Sequence, residues 1–499
     1  MYLTSEAPSS NAPLQNSPNP YRQVAGMGRH HNKVAELMNI ERELLFAMAA
    51  DPYLLDHRRG AIIRWALAVA RLILFRTPAG DDLDVSGLLT PFRHWLQEHL
   101  RRALPAGGNV DGSLLRSMCP AIAERLDAAR ALLLEHHVNQ FGPEHLDKEL
   151  RHKRLVLVLG GGGGSGFVHI ATFALMEQLG HKPELIVGSS MGSLLGFFRA
   201  MLNDYQHEDV IRAVPRSFDL GAVLKPFPGE TRFGFPGLFN MQLLRAANNA
   251  LGHLTGSPNI PHFSELPIRF QAVATGIRIG FAGDRFEKRI NAMTGSSFSP
   301  FAIRKRIQLF IDVIRELSAN PRLLKQIVFG RDENTWDFNV VEAVGFSCAV
   351  PGMLHYDVFH QDPQTIQALR TLFKQHRLGS LTDGGVVNNV PSRVAWESVM
   401  MGGFGHRNAF ILAGDAFAPT GSNLIFTPVQ QVARPAVLAN RRFSDFHKTF
   451  KSCPSPINLA PSYSKLQRII AKALSEYEAD RPYLKLALSP LPHYGEWLS

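Results

Sequence analysis

Between residues 33 and 150 the apolar positions recur three and four apart, as in Ile122, Leu126, Ala129, Leu132 and Leu133. That spacing places them on one side of a 3.6-residue helix. Pro- and Gly-rich stretches such as LPAGGNVDG interrupt the pattern, so residues 31–150 read as an all-helical N-terminal module. At Arg154 the rhythm changes to a continuous apolar run, LVLVL, followed by five glycines, a helical segment from His169 to Leu179 and a second apolar run, ELIVG. Strand, helix and strand in this order form a βαβ unit, which implies a parallel sheet covered by helices. Further strand-like runs occupy residues 268–276 and 409–417. Between them Ile303, Ile307, Phe310, Ile311, Ile314 and Leu317 share one helical stripe, so 302–329 reads as a helical insertion with Arg304, Lys305 and Arg306 outward. The run YSKLQRIIAKALSEYE makes 421–499 a C-terminal helical extension, and 151–420 the α/β domain between the two helical parts. Residues 1–30 lack the apolar groups that offset ordering entropy and are expected to be a disordered tail.

With 499 residues, 45% of them hydrophobic, the chain buries a large core and divides into two to four structural units. The net charge of +10 favours an acidic partner, either nucleic acid or an anionic membrane surface. The segment 61–76 is too short to span a membrane and carries Arg64 and Arg71, seven apart on one face of an amphipathic helix. No charged segment leading into an apolar stretch opens the chain, so no signal peptide is expected and the location is read as cytoplasmic. Three scattered cysteines, Cys119, Cys348 and Cys453, give neither a disulfide framework nor a zinc spacing. No metal and no cofactor is expected, and the acidic run Asp81, Asp82, Asp84 reads as a solvated loop or a helix start.

The glycine run carries the chemistry. A phosphate-binding loop of Walker type needs a lysine after its last glycine, but Phe167 and Val168 follow Gly166. A dinucleotide site fits Gly161, Gly163 and Gly166, yet the second strand ends in Gly188-Ser189-Ser190-Met191-Gly192 rather than in an acidic residue. Gly-x-Ser-x-Gly between a strand and an apolar helix is a nucleophile elbow, in which a sharp turn exposes one serine, here Ser190. Backbone N–H groups of Gly161, Gly162 and Gly163 then suit an oxyanion on a tetrahedral intermediate. The base is open on this reading. Twenty histidines allow a Ser-His-Asp triad, while Asp383, on the glycine turn Asp383-Gly384-Gly385, allows a Ser-Asp dyad if an apolar pocket partly desolvates it.

Together the glycine loop through Gly166, the elbow from Gly188 to Gly192 and the Asp383-Gly384-Gly385 turn resemble, in order, the motifs of the patatin-like phospholipases. The stretches 235–252 and 347–358 are also similar to that family. The resemblance implies a three-layer α/β/α sandwich with a mainly parallel sheet. It implies hydrolysis of fatty acyl esters, with Ser190 as nucleophile, Asp383 as base and no metal. The implied substrate is a phospholipid or lysophospholipid met at a peripheral membrane surface, not a nucleic acid. Ser165 stands where that family usually carries Arg or Lys, which leaves open a lipid-binding scaffold of weak activity, beside a Ser-His-Asp carboxylesterase.

Overall fold

The computed structural model describes residues 19–22, 24, 27–217, 220–226, 231–255, 260–278, 312, 315–316, 319–332, 334–358, 362–418 and 427–496. Five helices lead the chain: α1 (Met27–Ala50), α2 (His57–Arg71), α3 (Thr90–Ala103), α4 (Gly112–His136) and α5 (Pro143–Arg151). Asp56 and Asp111 cap α2 and α4 by accepting the N–H groups of Arg59 and Leu114, each cap stabilising its helix by about 1 kcal/mol. Their apolar stripes close on a common core that includes Leu44, Trp65, Leu96, Ile122 and Leu126.

The region is not all helix. β1 (Leu74–Arg76) pairs antiparallel with β2 (Asp82–Asp84), so the acidic run lies partly in a strand, where Asp82 accepts from Arg407 at 2.5 Å. Part of the expected tail is also packed: Tyr21 is buried against Trp336, because one aromatic ring finds a pocket that the polar composition around it does not reveal. Residues 1–18 of that tail lie outside the described residues.

The central sheet comprises β3 (Arg154–Leu159), β4 (Leu185–Ser189), β7 (Arg269–Arg278), β8 (Leu324–Phe329), β10 (Leu378–Asp383), β11 (Ala409–Asp415) and β12 (Phe446–Thr449). Its pairing order is β10-β7-β4-β3-β11-β12, with β8 also on β7. The pairs among β3, β4, β7, β11 and β12 are parallel, whereas β8 and β10 run antiparallel to β7. A small separate sheet joins β5 (Leu224–Pro226), β6 (Phe239–Met241) and β9 (Leu354–His355).

Alternation along β3 divides the core. Leu155, Leu157 and Leu159 pack with α6 (His169–Gln178) and α7 (Met191–Met201), while Val156 and Val158 pack with the helix Ser392–Met400 and with Val34 and Met38 of α1. Helices therefore cover both faces, as an α/β/α sandwich requires.

Two expected boundaries change. The helix read over 302–329 does not reach its end, because 324–329 form β8. Leu324, Gln326 and Val328 alternate with Lys325, Ile327 and Phe329 beyond Pro321, which interrupts helical geometry. Residues 302–311, with Arg304, Lys305 and Arg306, lie outside the described residues. The sheet also continues past residue 420, since β12 adds to β11 from within the expected C-terminal helical extension.

The N-terminal helices are bound to both later parts. Arg64 donates to the carbonyls of Leu486 and Ser489 at 3.0 and 2.9 Å, and Leu491 is buried in the N-terminal core. Glu41, buried on α1, accepts from Lys153 at 2.5 Å and from Arg71, which also donates to Asp445 at 2.8 Å. Burial alone would raise the Glu41 carboxyl, but Lys153 and Arg71 hold it down at about 2. Glu41→Ala leaves two cations buried without their shared partner, and should lower stability by about 3–5 kcal/mol, read as a shift of the urea midpoint with an unchanged slope.

Candidate active site

β7 brings the two ends of the site together. Residues 272–277 of β7 pair with β8 along one edge, residues 269–273 pair with β4 along the other, and residues 274–278 pair with β10 on that same second edge. β4 and β10 thus run toward each other and meet end to end: Ser189 lies opposite Val273, and Asp383 opposite the next residue, Ala274. The chain leaves β4 at Ser190 and leaves β10 at Gly384, so both turns open on the same point.

At Ser190 the backbone takes φ 52° and ψ −128° before α7 begins at Met191. A side chain in this region is strained by about 1–3 kcal/mol, and surrounding contacts must hold it there. Ser190 N–H donates to Ser347 Oγ at 3.0 Å, and Ser347 Oγ donates to the Val273 carbonyl at 2.5 Å. The Ser193 hydroxyl donates to the Ser190 carbonyl at 2.6 Å. The glycines of the elbow are required by contact: a Cβ on Gly188 would lie 2.4 Å from the Ser193 backbone, and one on Gly192 would lie 2.1 Å from the Leu159 carbonyl. Gly384 has the same reason, its Cβ falling 2.0 Å from the Val273 carbonyl, while a Cβ on Gly166 would meet Met191 at 2.6 Å.

The glycine loop differs from the expectation in one respect. Gly161 N–H donates to the Asn389 carbonyl at 3.2 Å and is not free to face a substrate. Its lack of a side chain matters instead for proximity, since a Cβ there would lie 2.8 Å from Ser190 Cβ. Gly162 and Gly163, at φ 148° and 55°, line the cavity in front of Ser190, and among the described residues nothing accepts from their N–H groups.

Asp383 is 6% exposed. Its Oδ1 accepts Gly385 N–H at 2.7 Å, and its Oδ2 is buried without a hydrogen bond of ordinary geometry. Burial pushes the carboxyl up to about 6, against the opposing pull of the Ser190 hydroxyl and the Gly385 amide. A carboxylate so placed is a competent proton acceptor near neutral pH. His169, fully buried, has its Nε2 against the Gly160 carbonyl at 2.8 Å, and burial lowers it to about 4. It is a neutral group that supports the loop from behind.

Ser190 and Asp383 open on a cavity of about 320 Å³. Its walls are apolar, among them Phe167, Leu194, Phe198, Met241, Val350 and Leu354, and no histidine lines it among the described residues. Several lining groups are not marked by any motif: Phe417 after β11, Ala433 on the helix Thr427–Arg441, and Pro456, Ile457 and Leu459 in a loop near the C-terminus. Ser347 and Asn389 were likewise legible only as neighbours of motifs, because their roles are to hold backbone groups of distant turns. Among the described residues no helix is long and apolar enough to cross a membrane.

Residues 157–396 match the family model described as Patatin-like phospholipase, and no curated protein matches the chain. The family acts on ester bonds of lipids, and its α/β/α fold is the one found here.

Two stability effects follow from the geometry. Ser190→Gly removes the strained side chain and should raise stability by about 1 kcal/mol, seen as a higher melting temperature than that of the wild type or of Ser190→Ala. For Asp383 the folded carboxyl, at about 6, holds its proton more tightly than the unfolded one, at about 4. Stability is therefore lost as pH rises from about 4 to 6, and the full cost of about 3 kcal/mol applies above that window. Asp383→Asn should be the more stable protein at pH 8 by up to about 3 kcal/mol, and urea titrations across pH should show the difference vanish by about pH 4.

Proposed function

We propose, for a chain whose residues 157–396 form a patatin-like phospholipase domain, that it cleaves fatty acyl esters of phospholipids or lysophospholipids with a Ser190–Asp383 dyad. The observation that carries the reading is the meeting of these two residues end to end on β7, with the Asp383 carboxyl raised to about 6 beside an apolar cavity.

In this scheme Ser190 Oγ attacks the acyl carbonyl carbon while Asp383 takes the hydroxyl proton. The carbonyl oxygen becomes an oxyanion facing the N–H groups of Gly162 and Gly163, each such donor stabilising the transition state by about 3–4 kcal/mol. Collapse breaks the ester bond, and the leaving alcohol takes the proton from Asp383. A water molecule then gives its proton to the same carboxylate and attacks the acyl-enzyme; the acyl–Oγ bond breaks, Asp383 returns the proton to Ser190 Oγ, and the fatty acid leaves. The scheme uses no metal and no cofactor.

The cavity suits an acyl chain, because its lining offers almost only carbon. Phe239 and Ile457 both line it and are also exposed, at 38% and 69%, which gives the mouth an apolar lip for a lipid surface. The charge of +10 supports an anionic surface as the partner. A Ser-His-Asp mechanism lacks support here, as no histidine lines the cavity among the described residues.

Fatty-acid release from mixed phospholipid and lysophospholipid vesicles in EDTA tests the reading. Wild-type activity should persist, and Ser190→Ala and Asp383→Asn should each lose about a thousandfold or more. kcat/KM should rise with pH and level off above about 6, where Asp383 is ionised. Vesicle binding without release, or activity retained by Ser190→Ala, would overturn the proposal.

A further inference from the structure

We infer that the loop 451–459 near the C-terminus is a positioning element for the oxyanion site, acting through the Pro456 carbonyl on the Gly164 amide. The inference rests on the hydrolase reading above, and it concerns residues outside the span 157–396 that matches the family.

The glycine run is longer than the oxyanion donors require, and the surplus has a structural cause. Gly164 N–H donates to the Pro456 carbonyl at 2.7 Å. A Cβ on Gly163 would lie 2.4 Å from the Pro456 oxygen, and one on Gly164 would lie 2.3 Å from the Asn458 oxygen. The last two glycines are thus demanded by the close approach of another backbone, not by the cavity. Free glycines have wide backbone freedom, so an N–H group on such a loop points reliably only if something outside holds it.

Two contacts do so. From within, Ser165 turns its hydroxyl back onto the Gly162 carbonyl at 2.7 Å. From outside, the Pro456 carbonyl accepts the Gly164 N–H. The Gly163 N–H lies between these two restraints, and the Gly162 N–H lies between the Gly161 amide, held by Asn389, and the Gly162 carbonyl, held by Ser165.

The outer restraint is itself anchored. Glu476, which follows the helix Tyr463–Ser475, accepts Lys451 N–H at 2.9 Å and Ser452 N–H at 2.8 Å through its two carboxylate oxygens. A turn closes the far side, with Asn458 N–H donating to the Ser455 carbonyl at 3.0 Å. Thus Glu476 fixes the loop, the loop presents the Pro456 carbonyl, and that carbonyl orients the glycine amides. A displacement of about 1 Å in such donors is enough to cost on the order of a hundredfold in rate.

Glu476→Ala removes the anchor, and Pro456→Gly loosens the backbone that presents the carbonyl. With a short p-nitrophenyl ester, which does not reach the far walls of the cavity, both variants should lose at least about tenfold in kcat with KM within about twofold. Glu476→Gln keeps one acceptor oxygen and should recover part of the loss. Hydrogen exchange of the peptide 160–168 should quicken in Glu476→Ala and Pro456→Gly while the urea midpoint stays near that of the wild type. Unchanged kcat with faster exchange would overturn the positioning role, and raised KM at full kcat would reduce the loop to a cavity wall. A wild type with no Ser190-dependent hydrolysis would remove the activity itself and this inference with it, whereas wild-type activity that survives both substitutions overturns the inference alone.

Discussion

Two strands that share one edge of β7 and run head to head create the constraint on which the site depends. Val273 receives Ser189 from one direction and Ala274 receives Asp383 from the other. There is no room for either chain to continue, so both must turn out of the sheet within a residue. At the first turn the backbone takes the strained geometry of Ser190; at the second it needs Gly384, whose missing side chain clears the Val273 carbonyl. Ser347 ties the two sides together by accepting from Ser190 and donating to Val273. The strain is local, and the restraints come from four separate segments.

The burial on which the proposed role of Asp383 as base rests also makes its carboxylate costly. A carboxyl that is 6% exposed with one oxygen lacking an ordinary hydrogen bond resists ionisation, and its rise to about 6 expresses that cost. Elsewhere the protein meets buried charge differently. Glu41 sits between Lys153 and Arg71 and is held at about 2. One buried acid is left short of partners and the other is fully paired, and the difference separates the proposed proton acceptor from a joint between the N-terminal helices and the sheet.

Much of this arrangement was legible in the order of residues. β3, the glycine run, the elbow and the Asp383 turn are local patterns with local causes, because hydrophobic period and glycine placement report what the backbone must do nearby. The end-to-end meeting on β7 was not legible, since it depends on the register of strands more than 80 residues apart. Nor was the commitment of the Gly161 amide to Asn389, which reassigns the open donors to Gly162 and Gly163. The apolar stripe over 302–329 masked the strand at 324–329, because Leu324, Ile327 and Val328 keep the i, i+3, i+4 spacing of a helix while Ile327 and Phe329 keep the two-residue period of a strand. The loop around Pro456 carries no motif at all, and its contribution is a carbonyl oxygen, which every residue possesses.

The central claim is that Ser190 is a nucleophile activated by Asp383. Incubation with a fluorophosphonate, followed by intact mass and peptide mapping, tests it most directly, because this reagent forms a covalent bond only with an activated hydroxyl. The account predicts one adduct, on the peptide containing Ser190, formed in the wild type and suppressed in Asp383→Asn. An adduct on another serine, or labelling of Ser190 that proceeds at full rate in Asp383→Asn, would contradict it.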